Sequence, residues 1–157
     1  MKHLKYFKES VSTNHNIDTI LDNYLECALW TSEEQGDEFE DKNINDFSEE
    51  SKKIAKSEIN WFITIAENEL GDSFDDISDD MIGHDLWLTR NGHGAGFWDR
   101  GYDKKTEELL VELSKELGFT DIYVGDDDLI YLSGKDRYKD FDLEQYKLDK
   151  KAKQYNL

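Results

Sequence analysis

The stretch GHDLWLTRNGHGAGFWDRG, residues 83–101, decides how the fold is read. Asp85 to Arg90 alternates, with Leu86 and Leu88 on one side and Trp87 and Thr89 on the other, which is the two-residue period of a β-strand. Gly96 to Arg100 then reads as its antiparallel partner. Between them NGHGAG supplies residues that tolerate positive φ, as a hairpin turn needs. The same nineteen residues hold two of the four histidines, two of the four tryptophans, two arginines, two aspartates and five glycines. Groups able to donate, accept and titrate beside flexible backbone are the usual content of a binding site.

Upstream of this stretch the period is helical. Ile17, Ile20, Leu21, Tyr24, Leu25, Ala28 and Leu29 recur every three or four residues, and Asn16 stands ready to cap them. The run 33–45 is charged, without a periodic apolar face, and reads as a solvated loop. A second helix is expected from Asp46, whose spacing to Glu49 resembles a capping box, to Leu70, with Gly71 at its end. Ala55, Ile59, Phe62, Ala66 and Leu70 mark its buried stripe, and Trp61, Ile63 and Ile65 widen it, so this helix should be central. Phe74, Ile77 and Met81 have the spacing of one or two further helical turns.

Downstream, Asp103 caps a third helix that buries Leu109, Leu110, Leu113 and Leu117 and stops at Gly118. Ile122-Tyr123-Val124 and Leu129-Ile130-Tyr131-Leu132 flank Gly-Asp-Asp-Asp as a second hairpin. The expected class is α+β, in the order α-α-β-β-α-β-β, with one domain over 1–134 and a charged tail or helix over 135–157. In that tail Tyr138, Phe141 and Tyr146 are candidates to dock it.

Composition narrows the function classes. The net charge of −18 is uneven: from Glu33 to Asp80 there are 17 acidic residues against four lysines, whereas the tail from Lys135 has seven basic against five acidic. Such a field repels nucleic-acid phosphates and favours basic protein surfaces. Cys27, the only cysteine, excludes an internal disulfide and a Cys-based zinc site, and fits a reducing cytoplasm. The N-terminus MKHLKYFKES lacks the apolar core of an export signal, and nowhere do about 18 apolar residues run together, so no membrane association is expected.

The run IGHDLWLTRNGHGAGFWDRGY, followed by a helix and then IYVGDDDLIYL, resembles a family of small bacteriophage-encoded proteins in which GHDFWLTRNGHGAGFWDRG and VYVGDDG recur. The resemblance covers Ile82 to Leu132. This chain has Leu86 where the family shows Phe and Asp128 where it shows Gly. The resemblance implies a phage origin and action in the host cytoplasm; no catalytic residue carries over from it.

Three chemistries are conceivable on the glycine-rich stretch. His84, Asp85, His93 and Asp99 could offer imidazoles and carboxylates to a metal, but the spacing of the two histidines matches no ligand motif, and the preferred reading is that they orient the turn. Gly92-His93-Gly94-Ala95-Gly96, with Arg90 and Arg100, could present N–H groups to an anion, yet no helix opens behind it and no phosphate-loop pattern is met. Nucleophilic catalysis lacks a serine elbow, and Cys27 belongs to an apolar helix. No cofactor is expected. Trp87 and Trp98 are candidate interface anchors beside Arg90, Arg100 and His93, with one ring expected buried and the other partly exposed.

The leading expectation is therefore an acidic phage-encoded binding or inhibitor protein, acting as a nucleic-acid mimic on a host defence or nucleic-acid-handling protein. Asp46, Glu49, Glu50, Asp75, Asp76, Asp79 and Asp80 would stand in for phosphates. The alternative is a small hydrolase or nucleotide-modifying enzyme built on His84, His93, Asp99 and Arg90. Self-association through the aromatic stretch is a third expectation.

Overall fold

The computed structural model describes residues 14–33 and 36–155; the lysine-bearing N-terminus considered above lies outside them. Among the described residues there are six helices, α1 (Ile17–Glu33), α2 (Glu49–Leu70), the single turn α3 (Asp72–Asp75), α4 (Asp79–Arg90), α5 (Lys104–Leu117) and α6 (Leu143–Tyr155). Two three-residue strands, β1 (Ile122–Val124) and β2 (Ile130–Leu132), form one antiparallel hairpin. The architecture is mostly helical, and this corrects the expected α+β order.

The correction falls on the stretch that seemed most decisive. Asp85 to Arg90 is the second half of α4, and Phe97–Asp99 is one 3-10 turn rather than a partner strand. Alternation over six residues cannot separate a strand from a helix buried on all sides. Here Ile82, Gly83 and every residue from Asp85 to Arg90 are buried, so no solvent face exists to reveal the helical period. The helix begins among the acidic residues Asp79 and Asp80, ahead of the alternating run, where carboxylates suit a helix N-terminus.

Gly83 explains how α4 lies so close to α1. A Cβ built there would stand 2.3 Å from the carbonyl oxygen of Ile20 and 2.9 Å from the amide nitrogen of Tyr24. Only a residue without a side chain lets the two backbones meet at this distance. Tyr24 and Trp87 then pack edge to face, their ring centroids 5.3 Å apart, and Trp87 Nε1 donates to Thr31 Oγ1 at 2.9 Å.

At the centre is α2, which buries Ile59, Trp61, Phe62, Ile63, Ile65 and Ala66. Phe62 lies between Phe97 and Phe74, with ring centroids 5.7 and 6.3 Å away. Its N-cap is Ser48, whose side chain accepts from Ser51 N at 3.1 Å; Asp46 instead closes the 3-10 turn Ile44–Asp46 by accepting from Asn43 N. Asp46 is therefore not the cap that its spacing to Glu49 suggests. The loop ahead of it is anchored as well as solvated, because Phe39 is buried.

The hairpin pairs Ile122 with Leu132, Tyr123 with Tyr131 and Val124 with Ile130. It is fastened to the start of α2, where Ser48 N donates to Ile130 O and Leu132 N donates to Ser51 Oγ, both at 2.9 Å. Asp128 takes the turn position with φ 70°, so the tight turn forms without the glycine. Beyond it, Tyr138 stacks on Trp61 with centroids 4.6 Å apart, and Lys150 of α6 reaches Glu69 at 2.7 Å, which fixes the C-terminal segment against the far end of α2. No described helix is long and apolar enough to cross a membrane.

Candidate functional site

Most of the polar groups in residues 83–101 are consumed by the fold. Arg90 is buried and spends its guanidinium on four acceptors: Tyr24 Oη and Glu58 Oε1 at 2.8 Å each, the Gly118 carbonyl at 2.7 Å and the Leu117 carbonyl at 3.0 Å. It therefore caps the C-terminus of α5 while neutralising a buried carboxylate on α2. Burial pushes the Glu58 carboxyl upward, and Arg90 pulls it back. Burial also pushes Tyr24 above its usual range, so its hydroxyl stays protonated.

Asp85 is fully buried and receives a two-pronged bond from Arg100, Nε to Oδ2 at 2.8 Å and a terminal nitrogen to Oδ1 at 2.6 Å. That pair holds the 3-10 turn against α4. Thr89 Oγ1 accepts from Phe97 N at 3.0 Å, and a Cβ on Gly96 would stand 2.4 Å from that same oxygen, so the glycine makes room for the bond. Asn91 donates to the Trp87 carbonyl and accepts from Thr120 N at 2.9 Å, joining the end of α4 to the entry of the hairpin.

What remains does not gather into a catalytic centre. His84 leans on Asp85, 3.3 Å away, and stacks under Trp30, whereas Asp99 closes its own turn and lies 3.7 Å from Arg100. His93 lines a separate groove with Thr31, Ser32 and Phe119. Among the described residues, His84, His93 and Asp99 form no group of three ligand atoms close enough for one metal. Trp87 is buried and Trp98 is 47% exposed, the split expected for the two rings, although they sit on a helix and a turn instead of paired strands. Cys27 is buried, and burial pushes its thiol up to about 12, which leaves it inert at neutral pH.

Among the described residues, the one cluster with ligand atoms mutually within 4.8 Å is His15, Glu67 and Asp75, which the sequence does not single out because the three are far apart in the chain. His15 Nε2 donates to the Phe74 carbonyl at 3.1 Å, and Nδ1 lies 2.7 Å from Asp79 Oδ1, so the ring ties the start of α1 to α3 and α4. Among the described residues Glu67 Oε2 is buried without a hydrogen-bond partner, and burial, resisted by His15 and reinforced by Asp75, raises its carboxyl to about 7. The folded state therefore holds a proton here that the unfolded chain, with its ordinary value near 4.5, has already released. Stability from this group falls as pH rises from about 4.5 to 7. Thermal unfolding of Glu67→Gln is expected to show a flatter pH dependence across that window and a higher melting temperature than the wild type at pH 8.

The chain matches no family model, curated protein or solved structure. Its surface charge must be read from its own geometry.

The acidic residues chosen from sequence divide between the two ends of α2, a helix of 22 residues and so about 33 Å long. Asp75, Asp76, Asp79 and Asp80 lie beyond its C-terminus, where Asp79 is occupied by His15 and by Asn16 N. Asp46, Glu49 and Glu50 lie at its N-terminus, and there the structure adds carboxylates that the sequence places only in a turn. Lys42 Nζ reaches Asp128 Oδ1 at 2.9 Å and the Asp128 carbonyl at 2.7 Å, drawing the loop ahead of α2 onto the hairpin turn. Asp126, Asp127 and Asp128 thereby join the acidic loop and the first turn of α2 in one acidic pole.

Among the described residues, neutralisation at this pole is sparse. Lys42 answers Asp128, and Lys52 lies 3.5 Å from Glu49. Among the described residues, Glu50, Asp126 and Asp41 are exposed and make no ion pair. Asp127 accepts from Tyr131 Oη, and that bond holds its carboxyl below the usual range, keeping it charged.

Proposed function

We propose that the chain is an acidic binding protein that occupies a basic surface on a protein partner, its carboxylates standing in for nucleic-acid phosphates. The observation that carries this reading is the pole at the start of α2, where exposed carboxylates from two distant segments meet with little compensation. Unpaired like charges at one place repel one another and gain nothing for the fold. A partner bearing lysines and arginines relieves that repulsion and gains from steering. The phage-type motif supports a host defence or nucleic-acid-handling protein as the partner class, with inhibition as the outcome.

An enzyme built on His84, His93, Asp99 and Arg90 finds no geometric support, since Arg90 is sealed in the core and the two histidines have different neighbours.

Immobilised protein exposed to bacterial lysate tests the reading. The retained partner should fall by about tenfold between low and moderate salt, as contacts between exposed charges are screened, and a short DNA duplex should displace it. Retention indifferent to both salt and duplex would contradict the proposal.

A further inference from the structure

We propose that the groove between the ends of α1 and α4 and the entry of the hairpin is a docking site for an arginine side chain of the protein partner. The assignment rests on the reading of the chain as a binder of basic surfaces, and it names a second point of contact at the opposite end of the hairpin from the acidic turn.

The groove has a volume of about 470 Å³, room for an arginine and the backbone beside it. No described lysine or arginine lines it. Two helices end there. The last turn of α1 contains no basic residue, and Arg90, the basic residue in the last turn of α4, is turned away to the carbonyls of Leu117 and Gly118. Among the described residues, the negative ends of both helix dipoles are thus left without a cation of their own.

The rim supplies the two contacts that distinguish guanidinium from other cations. Phe119 is 84% exposed, an unusual position for a large ring, and offers a flat face on which a planar guanidinium stacks. Asp121 presents an exposed carboxylate that makes no ion pair among the described residues, an acceptor for the two-pronged bond. The nearby hydroxyl and amide groups are largely committed: Ser133 Oγ accepts from Asp121 N, Asn91 is bonded at both ends of its amide, and Thr31 accepts from Trp87. The walls are therefore fixed, and Phe119 and Asp121 are left to read the ligand.

The test is an NMR titration of the full-length, isotope-labelled protein with the peptide acetyl-Gly-Arg-Gly-amide, beside its citrulline and lysine counterparts. Saturable shifts are expected at the amides of Asn91, Thr120 and Asp121 with the arginine peptide. The surface variants Asp121→Asn and Phe119→Ala should each weaken binding by about tenfold, the size of one lost charge-assisted bond or stacked cation. An equal response to citrulline would remove the charge requirement, and an equal response to lysine would remove the planar fork; either overturns the assignment. Shifts confined to residues 126–128 would overturn it as well while leaving the acidic pole intact as a binding surface. Saturable groove binding by a protein whose pole variants still retain the lysate partner would uphold the groove and refute the pole.

Discussion

Replacing Arg90 by methionine should lower the unfolding free energy by about 3–5 kcal/mol, the cost of removing one partner from a buried ion pair. The side chain is among the most committed in the molecule, serving Glu58, Tyr24 and the carbonyls of Leu117 and Gly118 at once. Methionine fills part of the volume but leaves the Glu58 carboxylate in the core without its hydrogen-bonded cation and the Leu117 carbonyl dependent on Arg137, which reaches it at 2.6 Å. Arg90→Lys should recover only part of the loss, because one ammonium cannot span acceptors on three elements. The double variant Arg90→Met with Glu58→Met removes both charges and should be more stable than Arg90→Met alone. Urea unfolding followed by far-ultraviolet circular dichroism reads all three. An Arg90→Met protein with wild-type stability would mean that the guanidinium is available for another task.

Gly83→Ala should also be strongly destabilising, by about 3 kcal/mol, the upper range for overpacking in a core. The sign is informative, since the same change at an exposed helical position would stabilise by about 1 kcal/mol. Here the added methyl meets backbone atoms of Ile20 and Tyr24 that cannot rotate aside, so α1 and α4 must separate. Separation loosens the Tyr24–Trp87 contact and the bond from Trp87 to Thr31. The near-ultraviolet signal of the tryptophans should weaken along with the melting temperature. A Gly83→Ala variant as stable as the wild type would contradict the close crossing.

The helices with one wet face were legible from the chain. For α1 and α5 the apolar spacing and the caps Asn16 and Asp103 gave the element and its start, and the capping bonds are present, Thr19 N to Asn16 Oδ1 at 3.0 Å and Thr106 N to Asp103 Oδ2 at 3.2 Å. The terminal hairpin was legible for a similar reason, its β-branched and aromatic residues flanking a run of aspartates. The second half of α4 was not, because a helix buried on every side carries no polarity pattern, and the close backbone contact at Gly83, one turn earlier, shows only in the folded chain. Arg90 and Asp85 looked like chemistry for the same reason. A buried polar network and an active site draw on the same residue types, and only their partners distinguish them. The acidic pole was half legible: Asp46, Glu49 and Glu50 stood out by charge density, while the contribution of Asp126 and Asp127 depends on the long-range tie from Lys42 to Asp128.

On the proposed reading the acidic pole carries binding, and His84 and His93 are architecture. Side-by-side retention of the lysate partner by two folded variants tests it most directly, one carrying Glu50→Gln, Asp126→Asn and Asp127→Asn, the other His84→Ala and His93→Ala. The first should lose the partner and the second should keep it. Loss by the histidine variant with retention by the pole variant would overturn the proposed function.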